Sequence, residues 1–162
     1  ARVLGAVAAN AGWYTLPMAE GAFAMPYTLR GSGQEEADMR PLLAACLTLL
    51  LGTRDTAGPA ADRQLRGTAG AMAQGPHRLA RGMHYFDTGR DLAARLVAPF
   101  RWRLMLAPGA GHDVRQVMPF VGQLLFMPEE RLCVADADGT ATPGRALAYI
   151  ETALDAPSGE MG

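Results

Sequence analysis

The sequence contains no lysine, and all 15 of its basic residues are arginines. A phosphate-binding loop of the Walker type requires a lysine, so nucleotide binding of that kind is disfavoured. The arginines are balanced by 16 acidic residues, which leaves a net charge of −1 and no basic excess to hold nucleic acid. Because no run of about 18 apolar residues occurs, the sequence also predicts no membrane-spanning helix.

Cysteine and serine are scarce as well. Two cysteines are too few for a disulfide framework, and the two serines are Ser32 and Ser158. The chain begins with Ala1 and not with Met, so we expect that a segment ahead of it has been removed or is missing. No signal-peptide pattern occurs in these residues, and the compartment stays open between cytoplasmic and exported. What remains is 49% hydrophobic over 162 residues, the composition of about one globular domain.

Three apolar runs predict strands. They cover residues 1–10, residues 42–52 (LLAACLTLLLG) and residues 100–107 (FRWRLMLA). A buried helix is the alternative for the second run, since periodicity alone does not separate a short buried helix from a strand. Strands that alternate with helical segments predict the α/β class, a three-layer α/β/α arrangement of parallel strands with crossover helices.

Two segments predict helices. Pro76 suits the first position of a helix that ends before Pro99, and residues 113–126 predict a second helix. Arg78 and Arg81 are expected on faces of the first helix away from the core. The apolar stripe of that helix is predicted to be Leu79, Met83, Phe86, Ala93 and Leu96.

An acid and a histidine follow two of the predicted strands. Asp55 comes three residues after Gly52, and His112 follows the third strand in the stretch APGAGHD, 57 residues further on. The carboxyl ends of parallel strands gather at one edge of a sheet, so the two side chains are expected to meet there. A carboxylate that orients an imidazole makes it a general base. Asp55 is the predicted acid, with Asp62 as the weaker alternative.

The end of the first strand supplies candidates for substrate binding. Asn10, Trp13 and Tyr14 stand where that strand stops, and we expect them to line a substrate pocket. Rim packing of the two aromatic rings is an equally good interpretation. The loop over residues 18–36 is apolar and aromatic, which mildly favours an apolar substrate.

The stretches LLLGTRDT and RWRLMLAPGAGHD resemble the last two strand ends of the α/β-hydrolase fold family. In that family the chain order is nucleophile, acid, histidine, which implies Asp55 as the acid and His112 as the base. The resemblance extends over residues 1–127, where the chain is also similar to uncharacterised bacterial α/β-hydrolase-like proteins. It implies that these residues are the C-terminal part of a hydrolase core. Residues 128–162 are then an irregular tail with a short helix over 145–154.

The nucleophile motif of that family, G-x-S-x-G, does not occur in the sequence. Ser32 stands in a loop and Ser158 in the tail, so the nucleophilic serine is expected ahead of Ala1. The chain is therefore predicted to be the C-terminal portion of a serine hydrolase, inactive by itself. Such an enzyme would hydrolyse an ester, thioester or amide of a small-molecule acyl substrate.

A second hypothesis is a non-catalytic module of hydrolase-like fold. Its first strand would pair through an open edge with another chain, such as a missing N-terminal half, or the module would bind an apolar ligand. Neither hypothesis requires a cofactor or a metal. His77 and His84 are seven residues apart rather than the four of a helical metal pair, and they are interpreted as surface or packing residues.

Overall fold

The computed structural model describes residues 5–125, in which three parallel strands form one sheet. The strands are β1 (Ala6–Ala9), β2 (Leu47–Gly52) and β3 (Arg103–Ala107), in the order β1-β2-β3. In register, Ala8 pairs with Leu49, and Leu49 with Leu104. The central strand is buried from Thr48 to Gly52, as expected in a parallel sheet that is covered on both faces.

Four helices accompany the sheet in the described part of the chain. A 3₁₀ turn over Glu36–Met39 continues into α1 (Arg40–Leu43), and α2 (Ala69–Met72), α3 (Arg78–Leu96) and α4 (Val114–Leu125) follow. Two apolar clusters flank the sheet. On the α4 side the buried members are Leu50, Met105, Ala107, Ala110, Val117 and Leu124. On the α1 and α3 side they are Leu29, Met39, Leu43, Leu92, Ala93 and Trp102. The predicted α/β class is confirmed.

The second predicted strand is shorter than expected. Leu42 and Leu43 belong to α1, and the strand begins only at Leu47. Pro41 explains the difference, because it occupies the first turn of a helix and cannot donate to a ladder. The run therefore contains both alternatives, a short helix and a strand. The single turn of α2, with the sequence AGAM, carries no periodicity and was not predicted.

The long helix α3 begins at Arg78, two residues later than expected. His77 precedes it as the N-cap, and the Nδ1 atom of His77 accepts a hydrogen bond from the Ala80 amide at 3.2 Å. The helix ends at Leu96, and the C-cap residue Val97 has left-handed backbone angles. This cap gives His77 a structural role within the fold.

The buried face of α3 differs from the predicted apolar stripe. Met83 is exposed, whereas Arg78 and Arg81 are buried. Two glycines allow the helix to lie very close to the sheet: a Cβ on Gly82 would come within 2.5 Å of Leu51, and one on Gly89 within 2.4 Å of Trp102. Close approach at these points turns the arginine face inward, where the guanidinium groups find polar partners.

The last described element, α4, contains Pro119. As expected, Asp113 caps this helix: its Oδ1 atom accepts a hydrogen bond from the Arg115 amide at 2.9 Å. The predicted tail, residues 128–162, and its short helix lie outside the described residues. Within residues 5–125, no helix has the length and apolar character that crossing a membrane requires.

Candidate active site

Asp55 and His112 meet at the carboxyl edge of the sheet. The Asp55 Oδ2 atom lies 3.1 Å from the Nδ1 atom of His112. The Asp55 side chain is 2% exposed, whereas that of His112 is 42% exposed. A buried carboxylate that accepts a hydrogen bond from Nδ1–H leaves Nε2 as the proton acceptor. The pair therefore has the geometry of an oriented general base.

The loops that carry these two residues are fastened to one another. The Thr53 amide donates to the Ala107 carbonyl at 3.1 Å, and the Arg54 amide donates to the Ala110 carbonyl at 2.9 Å. Gly52 makes the approach possible, because a Cβ there would lie 2.4 Å from the Ala110 oxygen. The separation of Asp55 and His112 is thus set by a backbone contact as well as by their own hydrogen bond.

Asn10 connects all three strand ends. Its Nδ2 atom donates to the Gly111 carbonyl at 3.0 Å, and its Oδ1 atom accepts from the Gly52 amide at 2.8 Å. The side chain is buried, and the backbone φ of +46° is left-handed, which asparagine tolerates better than most residues. Its amide is therefore engaged within the protein, and its role as a substrate contact stays a prediction.

Trp13 lies at an open cleft of about 350 Å³ beside the histidine. The cleft is lined by Gly12, Trp13, Gln64, Arg66, Arg78 and His112. The Arg66 guanidinium carbon lies 4.7 Å from the centre of a Trp13 ring, a cation–π contact. The cleft lining beside His112 is therefore largely polar, in contrast to the apolar loop over residues 18–36 that favoured an apolar substrate.

Tyr14, the other predicted aromatic contact, is buried behind the cleft lining. Its ring stacks on Tyr85 with 4.5 Å between ring centres. Gln74 binds both its backbone groups, accepting from the Tyr14 amide at 2.9 Å and donating to its carbonyl at 2.6 Å. Burial raises the pKa of Tyr14 to about 12, so its hydroxyl is neutral at ordinary pH. A contact with substrate stays a prediction for this residue too.

Three charged residues, Arg78, Asp62 and Arg81, have roles at the site that the sequence did not predict. Arg78, buried at the start of α3, lies with its Nη1 atom 3.5 Å from Asp55 Oδ1 and also hydrogen-bonds to Asp62 Oδ2. This hydrogen bond lowers the pKa of the Asp62 carboxyl. Asp62, the alternative acid, thus binds the arginine, and it is Asp55 that accepts the hydrogen bond from His112 Nδ1.

Arg81 is fully buried beneath the cleft. Its guanidinium donates to the carbonyls of Gly12 at 2.6 Å, Arg66 at 2.9 Å and Gly75 at 2.8 Å. Three separate loops are held by one side chain. A sequence signal for these roles was present in the stretch PHRLAR, which places two arginines three residues apart at the start of a helix. Amphipathic periodicity assigned both arginines to the solvent face instead.

The other two histidines, His77 and His84, are not among the residues that line the cleft. His77 caps α3, and His84 is exposed on the same helix. Among residues 5–125 there is no group of three or more His, Cys, Asp or Glu side chains that could hold a metal ion.

Comparison with known proteins finds similar solved structures, among them a hydrolase and a depolymerase, while no family model and no curated protein matches the chain. Poly(aspartic acid) hydrolase-1 from Sphingomonas sp. KT-1 is 41% identical, with a TM-score of 0.69 over 76% of this chain. A poly(3-hydroxybutyrate) depolymerase from Bordetella parapertussis is also 41% identical, with a TM-score of 0.66 over 80% of this chain. The match spans 45% of each of those longer proteins. The parallel sheet and the 41% identity to these two proteins confirm the resemblance to the α/β-hydrolase fold family.

Proposed function

We propose that this chain supplies the acid and the histidine of a serine hydrolase of the α/β-hydrolase fold. The observation that carries the proposal is the contact of 3.1 Å between buried Asp55 and half-exposed His112. The two similar structures support it, because one is a poly(aspartic acid) hydrolase and the other a poly(3-hydroxybutyrate) depolymerase. Hydrolysis by acyl transfer is the reaction that an oriented histidine serves best.

In the proposed reaction a serine hydroxyl attacks the carbonyl carbon of an ester, thioester or amide. Nε2 of His112 takes the hydroxyl proton, and Asp55 stabilises the resulting imidazolium through Nδ1. The same proton passes to the departing alcohol, thiol or amine as the tetrahedral intermediate collapses to an acyl-enzyme. Water then repeats the sequence, with His112 as base, and releases the acid and the free serine.

The serine itself is proposed to lie on a segment preceding residue 1. The match covers 45% of each similar structure, which leaves room in such a protein for a nucleophile and an oxyanion hole. Ser32 is a poor candidate, because its Oγ atom donates to the Leu29 carbonyl at 2.6 Å and accepts from the Gln34 amide at 3.1 Å within one loop.

A serine-directed fluorophosphonate probe tests this proposal on two proteins. One is the 162-residue chain, and the other is the longer protein encoded by extending the reading frame upstream. We expect stoichiometric labelling of the longer protein only. His112→Ala should slow labelling and ester hydrolysis by about 10³-fold or more, since it removes the base that activates the serine.

His84→Ala is the matched control, because His84 is an exposed histidine on α3 and should leave both rates unchanged. Circular dichroism would show that both variants fold. Labelling of the 162-residue chain would overturn the location of the nucleophile, and full activity of His112→Ala would overturn the role of the histidine. An inert longer protein would instead favour the non-catalytic module.

A further inference from the structure

The start of α3 contacts the proposed acid at two points, through the Arg78 side chain and the Leu79 backbone. Its Nη1 atom lies 3.5 Å from Asp55 Oδ1, the oxygen that His112 does not use. The adjacent Leu79 amide donates to the Asp55 carbonyl at 3.3 Å. Both the side chain and the backbone of Asp55 are therefore positioned by the same helical turn.

A guanidinium beside this carboxylate has an electrostatic cost for catalysis. Asp55 and Arg78 by themselves would form a neutral pair, which stabilises an imidazolium much less than a lone carboxylate does. Asp62 changes this balance, because it hydrogen-bonds to the same arginine from the other side. Two carboxylates and one guanidinium leave one net negative charge next to His112.

We propose that Arg78 and Asp62 are positioning residues for His112. Arg78 orients the Asp55 carboxylate, and Asp62 neutralises the Arg78 charge so that Asp55 keeps its full attraction for the imidazolium. The catalytic meaning of this arrangement rests on the proposed hydrolase function, whereas the electrostatic arrangement itself is a property of the described residues. Asp62, first considered as a competing acid, thus acts through the arginine.

Other charged groups also surround the ring and must stay constant in any test. Arg66 lines the same cleft, Asp113 is paired with Arg115 at 2.9 Å, and the Arg81 guanidinium binds loop carbonyls beside Arg78. Tyr14, near Asp55, is neutral below pH 10 because burial raises its pKa to about 12. These groups are the same in all the variants below, so differences between variants report on Asp62 and Arg78.

The proposal predicts shifts of opposite sign in the titration of the His112 ring, followed by NMR on the chain. Asp62→Asn removes a negative charge, so His112 should titrate at lower pH. Arg78→Met removes a positive charge, so His112 should titrate at higher pH. Each shift should be about 0.5 pH unit, the size of a partly screened Coulomb interaction over several Å.

Two further variants keep the outcome decisive. Arg78→Lys retains the charge and should restore the parent titration, and the double variant D62N/R78M restores one net negative charge and should titrate close to the parent. The His112 resonance is assigned by its loss in His112→Ala, and exposed His84 serves as the internal reference. If Arg78→Met does not fold, Asp62→Asn and Arg78→Lys still decide the question.

Shifts of the same sign in the two single variants, or no shift in Asp62→Asn, would overturn the proposal. Because the titration needs no substrate, it separates this inference from the proposed function. A longer protein without hydrolase activity would defeat the function and leave the opposite shifts intact. In an active longer protein, the acid limb of the kcat/KM profile should move with the NMR titration, in the same direction and by the same amount.

Discussion

Two non-glycine residues in the described part of the chain have left-handed backbone angles, and they do so for different reasons. Asn10 has φ of +46° and Val97 has φ of +49°. Asn10 is buried, and its side chain binds two other strand ends, so the strained conformation gains two hydrogen bonds. Val97 is 90% exposed at the end of α3, where a β-branched side chain gains little from this conformation.

Substitution by glycine should therefore have opposite effects at these two positions. Asn10→Gly removes two hydrogen bonds and should lower the free energy of unfolding by about 1–3 kcal/mol. Val97→Gly relieves backbone strain without loss of packing and should raise it by about 0.5–1 kcal/mol. Urea unfolding monitored by circular dichroism measures both values, and changes of equal sign would contradict this account.

Site residues that directly follow a strand could be predicted from the sequence, whereas those whose role depends on tertiary packing could not. Asp55 and His112 follow strands directly, and parallel strands deliver such residues to one edge whatever the rest of the chain does. Arg78 depends on which face of α3 turns inward, a property that tertiary packing decides. The role of Asp62 depends in turn on Arg78, so neither residue could be assigned from local pattern.

At the scale of elements, the close contact of α3 with the sheet is the feature on which the site depends. Gly82 and Gly89 lie two turns apart on one face, against Leu51 and Trp102. Hydrophobic periodicity cannot indicate such a face, because glycine contributes almost nothing to an apolar stripe. This is why the existence of the helix was predicted and its inward face was not.

Gly89→Ala should consequently lower the free energy of unfolding by about 1–3 kcal/mol, since its methyl group would overlap the Trp102 ring. Gly122→Ala is the matched control on α4. A Cβ at Gly122 meets no described atom within 4 Å, so this change should raise stability by about 0.5–1 kcal/mol through helix propensity alone. A neutral Gly89→Ala would show that the helix can move away from the sheet at little cost.

At the scale of the molecule, a stack of aromatic rings connects the loop that follows β1 with the residue that precedes β3. Tyr14 stacks on Tyr85 and Tyr85 stacks on Trp102, with 4.5 and 4.9 Å between ring centres. Burial raises the pKa of both tyrosines from 10.0 to about 12. The folded state thus disfavours the tyrosinate form, which the unfolded chain adopts freely.

Stability should therefore decline in strongly alkaline solution. A pKa that is raised in the folded state contributes stability that is complete below pH 10 and is lost as the pH approaches 12. A rise of two pKa units is equivalent to about 2.7 kcal/mol for a single ring. Unfolding in urea at pH 8, 10 and 11 measures the decline.

The double variant Y14F/Y85F provides the control for this prediction, because it removes both titrating hydroxyls and keeps the stacked rings. Its stability should vary less with pH over the same range. The Tyr14 hydroxyl is buried beside the Ala11 backbone and makes no well-formed hydrogen bond among the described residues, so phenylalanine should be accepted there at pH 8. An equal alkaline decline in the double variant would assign the effect to other groups.

The buried Arg81 has a consequence for the cleft in acid. The groups that it binds, the carbonyls of Gly12, Arg66 and Gly75, take up no proton at any pH a protein survives. Acid that protonates Asp55 and Asp62 would break the ionic contacts around His112. The hydrogen bonds from Arg81 that hold the surrounding loops would remain. The hydrogen bonds that form the cleft wall therefore persist at a pH where the carboxylates have lost their charge. A return to neutral pH needs only to remove those protons, because the cavity is still in place.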